Sequence, residues 1–378
     1  MKTRILQPVW NRPTIFNLVL VCFFLCTMVM ISLNIGGDDS LLSHNVSMKR
    51  PLIISPKYKD SFNLSQLKID DMSQLIDLKD FKFTINNRIC HGQPFSLEDH
   101  GSADANEGYN DDGDDIFLLI FIHSAPRNFA KRKTIRDTWA STRNVSCSQI
   151  RHVFLLGMVD DYELQRSIDS ENKATGDIVQ GNFLDTYRNL TYKHVMGLKW
   201  ITYYCRNAKF ILKTDDDIFV DVIQLVSHLK GLTANSVMPR RLLNCFVIRN
   251  PYPARSDKSK WKVTYEEYPG KYYPTYCFGW SVILSPDVVF DLYLQSRSTP
   301  YFWVDDVYVT GLLAQKANID QTDIGPKLAI SDQEIERWLE NKETLTLPPL
   351  FVRPAAIKDL STIYDLWNKT IKYYQFIR

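Results

Sequence analysis

Three segments built round uninterrupted apolar runs constrain the fold most: IFLLIFIHSAP over residues 116–126, HVFLLG over 152–157 and KFILKT over 209–214. Each is short, continuous rather than alternating, and bounded by turn residues. That is how strands buried on both faces read, as in a parallel sheet. Helical patterns fall between them. After Ser124, a plausible N-cap, RNFAKRKTIRDTW puts Arg132 and Arg136 one turn apart on the same face. Further on, Thr191, Val195, Leu198, Thr202 and Cys205 recur at helical spacing. Strands alternating with helices predict an α/β domain with a mostly parallel sheet, whose ligands sit at the carboxyl ends of the strands. With 378 residues and 45% apolar content, the chain has ample material for one large core plus appendages. No internal repeat is visible.

The N-terminal part has a different texture. No charge falls between Arg12 and Asp38, and IFNLVLVCFFLCTMVMISL over residues 15–33 is long enough to cross a bilayer as one helix. Lys2, Arg4 and Arg12 precede it, and Asp38 and Asp39 follow. The positive-inside rule then predicts a cytoplasmic tail over 1–13, a signal-anchor over 14–34 and everything else across the membrane. A cleaved signal peptide is the rival reading; the run is longer than the usual h-region and no small-x-small cleavage site follows. Residues 35–114 read as a stem, closing in the acidic tract EDHGSADANEGYNDDGDD, which repels itself and buries little. The large domain is expected over 115–378.

Sequons at Asn45, Asn63, Asn144, Asn189 and Asn368 agree with a secretory-pathway lumen. Cys90, Cys147, Cys205, Cys245 and Cys277 lie outside the apolar segment. In an oxidising compartment some should pair, and the odd count leaves at least one thiol free or intermolecular. None has C-x-x-C spacing, which argues against zinc. A net charge of +2 without a basic stripe excludes a nucleic-acid binder.

FILKTDDDIFV over residues 210–220 sets three acids at the end of a buried strand, where like charges are costly unless a cation neutralises them. A solvated turn is one reading and a metal the other. Side chains at i and i+2 of an extended chain point the same way, so Asp215 and Asp217 can aim at one point while Asp216 faces away. Two hard oxygen ligands form an open site for Mg²⁺ or Mn²⁺, which keep waters and take further ligands from a diphosphate. The sequence has no Gly-x-x-x-x-Gly-Lys loop, so it is not a P-loop nucleotidase.

Six blocks then occur in a telling order: KRKTIRDTW, FLLG, DTYRNLTYK, KFILKTDDDIFV, YYPTYCFG and DDVYVTG. Together, over roughly residues 115–325, they resemble the β-1,3-galactosyltransferase family (glycosyltransferase family 31), which includes brainiac-type β-1,3-N-acetylglucosaminyltransferases. The resemblance implies a GT-A type, Rossmann-like fold, a UDP-sugar donor, Mn²⁺, and transfer with inversion in the Golgi. It makes Asp215 and Asp217 the metal ligands, Asp217 being the better matched. It also places Arg132, Arg136, Asp185, Lys193, Asp215 and Asp216 around the nucleotide; a surface basic face for Arg132, and helix capping or core packing for Asp185 and Tyr187, are the ordinary alternatives. Asn189 falls in the same block, so its sequon is expected at a helix start and unmodified.

In the last block Asp306 matches the presumed base, with Asp305 as its supporting partner. A carboxylate can accept the acceptor hydroxyl's proton as the new bond forms, and a like-charged neighbour raises proton affinity in the pair. An acidic helix N-terminus favoured by the macrodipole is the alternative. One departure from the family stands out. In CFGWSVILS Gly279 is retained, but Trp280 replaces a small residue, which suggests an indole reshaping the sugar pocket.

The expected acceptor is a glycolipid or glycoprotein glycan, the expected donor UDP-galactose with UDP-N-acetylglucosamine as the alternative, and homodimerisation is left open. Two other classes compete. An inverting glycosidase would need two carboxylates and no metal, and a membrane-tethered binding module would need no base.

Overall fold

The computed structural model describes residues 54–55, 71–90, 116–233, 238–325, 328–329, 331–340, 347–352 and 359–377. Of the chain's two compact units, Met1–Pro51 and Leu52–Arg378, only the second contains described residues. The expected cytoplasmic tail and signal-anchor, Cys22, Cys26 and the sequons at Asn45 and Asn63 lie outside them. No helix among the described residues is long and apolar enough to cross a membrane.

The elements that place the site are, in chain order, β1 (Phe83–Asn86), β2 (Ile116–His123), α1 (Phe129–Asp137), β3 (Ser148–Met158), α2 (Tyr162–Thr175), β4 (Ile178–Leu184), α3 (Leu190–Tyr204), β5 (Phe210–Asp215), β6 (Leu243–Cys245), β7 (Val282–Leu284), α4 (Pro286–Ser296), α5 (Asp305–Val307) and β8 (Thr322–Asp323). The main sheet has nine strands, running β8-β6-β7-β5-β2-β3-β4-β1, with the short strand Asn144–Val145 paired to β3. All three apolar runs became strands of its centre. β5, β2, β3 and β4 are mutually parallel. β7 joins β5, and β1 joins β4, antiparallel. The sheet is therefore mixed rather than mostly parallel. Its outer strands are two to four residues long and too short to carry a period in sequence.

Every residue of β2 is buried, and its two faces feed two cores. Leu119 and Phe121 pack with Val195, Met196 and Leu198 of α3 and with Val288, Val289 and Leu292 of α4. Leu118, Ile120 and Ile122 pack with Ile135 of α1 and Ile168 of α2. Helices on both faces explain why the strand shows no alternation.

The domain also begins earlier than expected. Residues 71–90, read above as stem, belong to the body. β1 pairs with β4, and Leu75, Ile76 and Phe81 are buried in the core. The Lys199 ammonium donates to the Asp71 and Gln74 carbonyls at 3.1 and 2.7 Å, and Trp200 Nε1 donates to Asn86 Oδ1 at 2.9 Å. A disulfide joins Cys90 to Cys205.

A second disulfide joins Cys245 to Cys277, and Cys147 is exposed and free, which accounts for the odd cysteine. The Asn189 sequon lies at a helix start as expected, with Asn189 half-buried: its Nδ2 donates to the Leu184 carbonyl at 2.8 Å, and the buried Thr191 hydroxyl donates to the Phe302 carbonyl at 2.7 Å.

Candidate active site

β5 ends in the sequence Lys213-Thr214-Asp215, with Lys213 and Asp215 on one face because side chains alternate. Lys213 is 2% exposed, and its ammonium donates to Asp215 Oδ1 at 2.8 Å. The Asp215 and Asp217 side chains stay 38% and 41% exposed, so both can meet a ligand from solvent.

The second acidic pair arrives from the other end of the chain. β7 runs antiparallel to β5 with Val282 opposite Lys213, and Thr214 Oγ1 donates to the Trp280 carbonyl at 2.9 Å. The residue before Trp280 is Gly279, whose N–H donates to Asp306 Oδ2 at 3.0 Å. A Cβ on Gly279 would sit 1.8 Å from Asp306 Oδ1. Only glycine lets the carboxylate lie against that backbone. Thr310 locks the other side: its hydroxyl donates to the Asp306 carbonyl at 2.6 Å and accepts the Cys277 N–H at 2.9 Å. Residues Tyr308–Leu313 form a π-helical turn directly after α5, a local irregularity common at functional sites. The two acidic pairs thus share one corner of the sheet.

The electrostatics follow from that crowding. Burial alone would lower the Lys213 ammonium, but Asp215, Asp306 and Asp305 outweigh it and push it up. Burial raises the Asp215 carboxyl, and Asp217 and Asp305 add to the rise against Lys213. Burial, then Asp305 and Asp215, push the Asp306 carboxyl well above the ordinary range, against Lys213 and the Gly279 N–H. Asp305 goes the other way. Burial would raise it, yet a contact from His194 Nδ1 at 3.4 Å, the Lys213 charge and the Asp306 N–H hold it down. His194 itself is buried and its imidazole lowered by burial, as is that of His123, the β2 residue paired with Asp215 in register. The Tyr187 phenol, 6.2 Å from the Trp303 ring, is raised by burial and then by Asp305, Asp306 and Asp215.

Several expected donor contacts are engaged elsewhere. Arg132 is fully buried and forks onto Glu171, with Nε 2.9 Å from Oε1 and Nη2 2.6 Å from Oε2, and it also donates to the Ala125 carbonyl. Arg136 binds Glu171 at 2.6 Å and both oxygens of Asp177 at 2.8 Å. Their guanidiniums close an internal ionic network with Glu171 and Asp177. Asp216 is 5% exposed, and its oxygens accept Ser124 Oγ at 2.7 Å, Asn128 Nδ2 at 2.8 Å and Lys131 Nζ at 3.1 Å. Its side chain turns inward while those of Asp215 and Asp217 stay part-exposed; the strand ends at Asp215, so a turn rather than extended-chain alternation separates them.

Asp185 and Lys193 pair with each other at 2.8 Å, both side chains nearly inaccessible. Asp185 also accepts the Gly157 N–H, and Lys193 donates to the Ser124 carbonyl. They clamp the carboxyl ends of β2 and β3, which supports the capping and packing alternative. Trp280 is 3% exposed within the apolar core, so it presents no face to a sugar. Lys213 and His194 were not predicted. Lys213 had a legible signal, a lysine two positions before an acid inside a buried strand; His194 had none.

The donor chemistry of Asp215 and Asp217 fits a hard divalent cation: two carboxylates, accessible, and opposed by only part of the charge they need. Among the described residues no three or more His, Cys, Asp or Glu side chains converge into a closed metal cage. An open two-carboxylate site remains, of the kind completed by waters and phosphate oxygens.

Fold and site together define an α/β protein with an under-neutralised acidic corner at the carboxyl edge of its central strands. Residues 130–325 match the Galactosyltransferase family model. Similar proteins include "Beta-1,3-galactosyltransferase 5" of Pan troglodytes, 37% identical over 54% of this chain and 67% of that one. Another is "Lactosylceramide 1,3-N-acetyl-beta-D-glucosaminyltransferase" of Xenopus tropicalis, 31% identical over 82% of this chain and 76% of that one. "Beta-1,3-galactosyltransferase 1" of Mus musculus is 36% identical over 54% of this chain and 61% of that one. The chain belongs to the galactosyltransferase family, and the resemblance drawn from the six blocks holds.

Proposed function

We propose that the protein is an inverting β-1,3-glycosyltransferase that moves galactose from UDP-galactose to a terminal sugar hydroxyl of a glycolipid or glycoprotein glycan. Its setting would be the Golgi lumen, held there by a single type II anchor over residues 14–34. The observation that carries this reading is one buried ammonium, Lys213, set among Asp215, Asp305 and Asp306 at the sheet edge. Such a corner carries excess negative charge and calls for a cation.

Asp215 and Asp217 would hold Mn²⁺, which when bound neutralises the charge developing on the β-phosphate of departing UDP. Asp306 would accept the proton of the acceptor hydroxyl as its oxygen bonds to the anomeric carbon and the bond to UDP breaks on the opposite face. Gly279 and Thr310 hold that carboxylate in place, and Asp305, kept ionised by His194 and Lys213, strengthens its pull on the proton. A like role for UDP-N-acetylglucosamine is the second reading, favoured by the wide coverage of the lactosylceramide-named relative.

The test is a donor screen with the purified full-length chain and Mn²⁺, using UDP-galactose and UDP-N-acetylglucosamine against acceptors ending in Gal, GlcNAc, GalNAc or Man. Transfer from UDP-galactose that stops in excess EDTA is the expected result. Glycan hydrolysis persisting in EDTA would favour a glycosidase, and neither transfer nor donor hydrolysis would favour a binding module.

A further inference from the structure

With Arg132 and Arg136 committed to Glu171 and Asp177, the positive charge expected beside a diphosphate must come from another residue. Lys131, in the first turn of α1, stands where it is needed. Its ammonium lies 3.1 Å from Asp216 Oδ1 and 3.9 Å from Asp217 Oδ2, with its side chain 30% exposed. The Asp216 contact fixes it there. Asp216 is buried, and among the described residues its other partners, Ser124 and Asn128, are neutral. Withdrawing the ammonium would leave a buried ionised carboxylate with no direct countercharge, the Arg132 guanidinium reaching it only through the Ser124 hydroxyl, which is unfavourable. The lysine is therefore an anchored cation at the rim of the proposed metal site.

We propose that Lys131 binds the diphosphate of the nucleotide-sugar, with Asp216 as its anchor, and that it couples cation and nucleotide so that neither is held well alone. This rests on the metal and donor assignment above. The physical reason is a difference of sign. A fixed ammonium close to Asp217 repels a divalent ion arriving by itself, yet attracts the phosphate oxygens that arrive with it. It also gives the middle aspartate of the triplet a task that requires it to point inward.

The experiment measures two affinities on the purified full-length chain by calorimetry: Mn²⁺ alone, and UDP in saturating Mn²⁺. Lys131→Met is expected to bind Mn²⁺ more tightly, by up to about 30-fold, the limit for one unit charge removed about 4 Å from a divalent ion in a water-like medium. It is expected to bind UDP about tenfold more weakly, through loss of a charge-assisted contact. Lys131→Arg should stay close to wild type in both. Because the single variant strands the Asp216 charge, Lys131→Met/Asp216→Asn removes ammonium and carboxylate together; the local net charge is then unchanged, so Mn²⁺ affinity should return close to wild type while UDP binding stays about tenfold weaker.

UDP affinity that stays at the wild-type value in the double variant, or Mn²⁺ affinity that does not rise in Lys131→Met, would overturn the role of Lys131 while leaving the functional reading intact. A wild-type chain that binds neither Mn²⁺ nor UDP would overturn both.

Discussion

Two ionic clusters lie in this protein, and they differ in how their charge is balanced. On one side of the sheet Arg132 and Arg136 face Glu171 and Asp177, with both forks occupied. Burial opposes the Arg136 charge, but Asp177 and then Glu171 override it and raise its proton affinity. Asp177, which burial would raise, is pulled far down by His152 and Arg136. Arg136 and Asp177 are both held more firmly in their charged forms, as expected of a closed structural network. At the sheet edge one ammonium faces Asp215, Asp305 and Asp306, and two of those carboxyls are pushed up. The lesson is that buried charge alone does not mark a site. Incomplete neutralisation does, because it is relieved only by something that binds.

The sharpest way to break that contrast is Asp217→Ala. Removing one of two proposed cation ligands should cut transfer by about 10³-fold or more, with thermal stability within about 0.5 kcal/mol because the residue is exposed and packs on little. Unchanged transfer would mean that the corner's missing charge is not supplied by a metal. Asp306→Asn comes next: turnover should fall about 10²-fold or more while UDP affinity is kept, and retained turnover would move the base elsewhere.

The other cluster should respond in stability instead. Glu171→Gln leaves two enclosed guanidiniums short of a carboxylate, at a cost of about 3–5 kcal/mol read from denaturant unfolding. The KM for the donor should not change in the protein that remains folded. A variant of normal stability with a raised donor KM would restore the arginines to the nucleotide.

The smallest effect concerns pH. Asp306 must be ionised to accept a proton, so kcat/KM should rise with pH through its elevated pKa, above the ordinary carboxylate value of 3.8. Asp305 contributes to that elevation, so Asp305→Asn should slide the acid limb to lower pH. An unmoved limb would show that the pair does not titrate together.

How much of this could be read from the residues alone follows the same contrast. The central strands were legible because uninterrupted apolar runs of three to seven residues, bounded by polar and turn residues, have few other fates. The acid pairs were legible because they are local in sequence and sit in recurrent blocks. The direction in which Arg132 and Arg136 point was not, since it depends on Glu171 and Asp177, about 40 residues away on a different element. β1 was hidden for a related reason: four residues, FTIN, acquire meaning only against β4, with the acidic tract intervening. Trp280 misled because its sequence neighbours are site residues while its ring enters the core.

The bond between Cys90 and Cys205 gives the β1 region an unusual legacy after proteolysis. A protease that severs the backbone anywhere between Cys90 and Ile116 would not liberate the globular body. The two fragments would migrate as one species until a thiol reductant parted them, and anything attached upstream of residue 71 would keep its cargo. Release into the surrounding fluid would then require a cut before that segment or a second, reductive event.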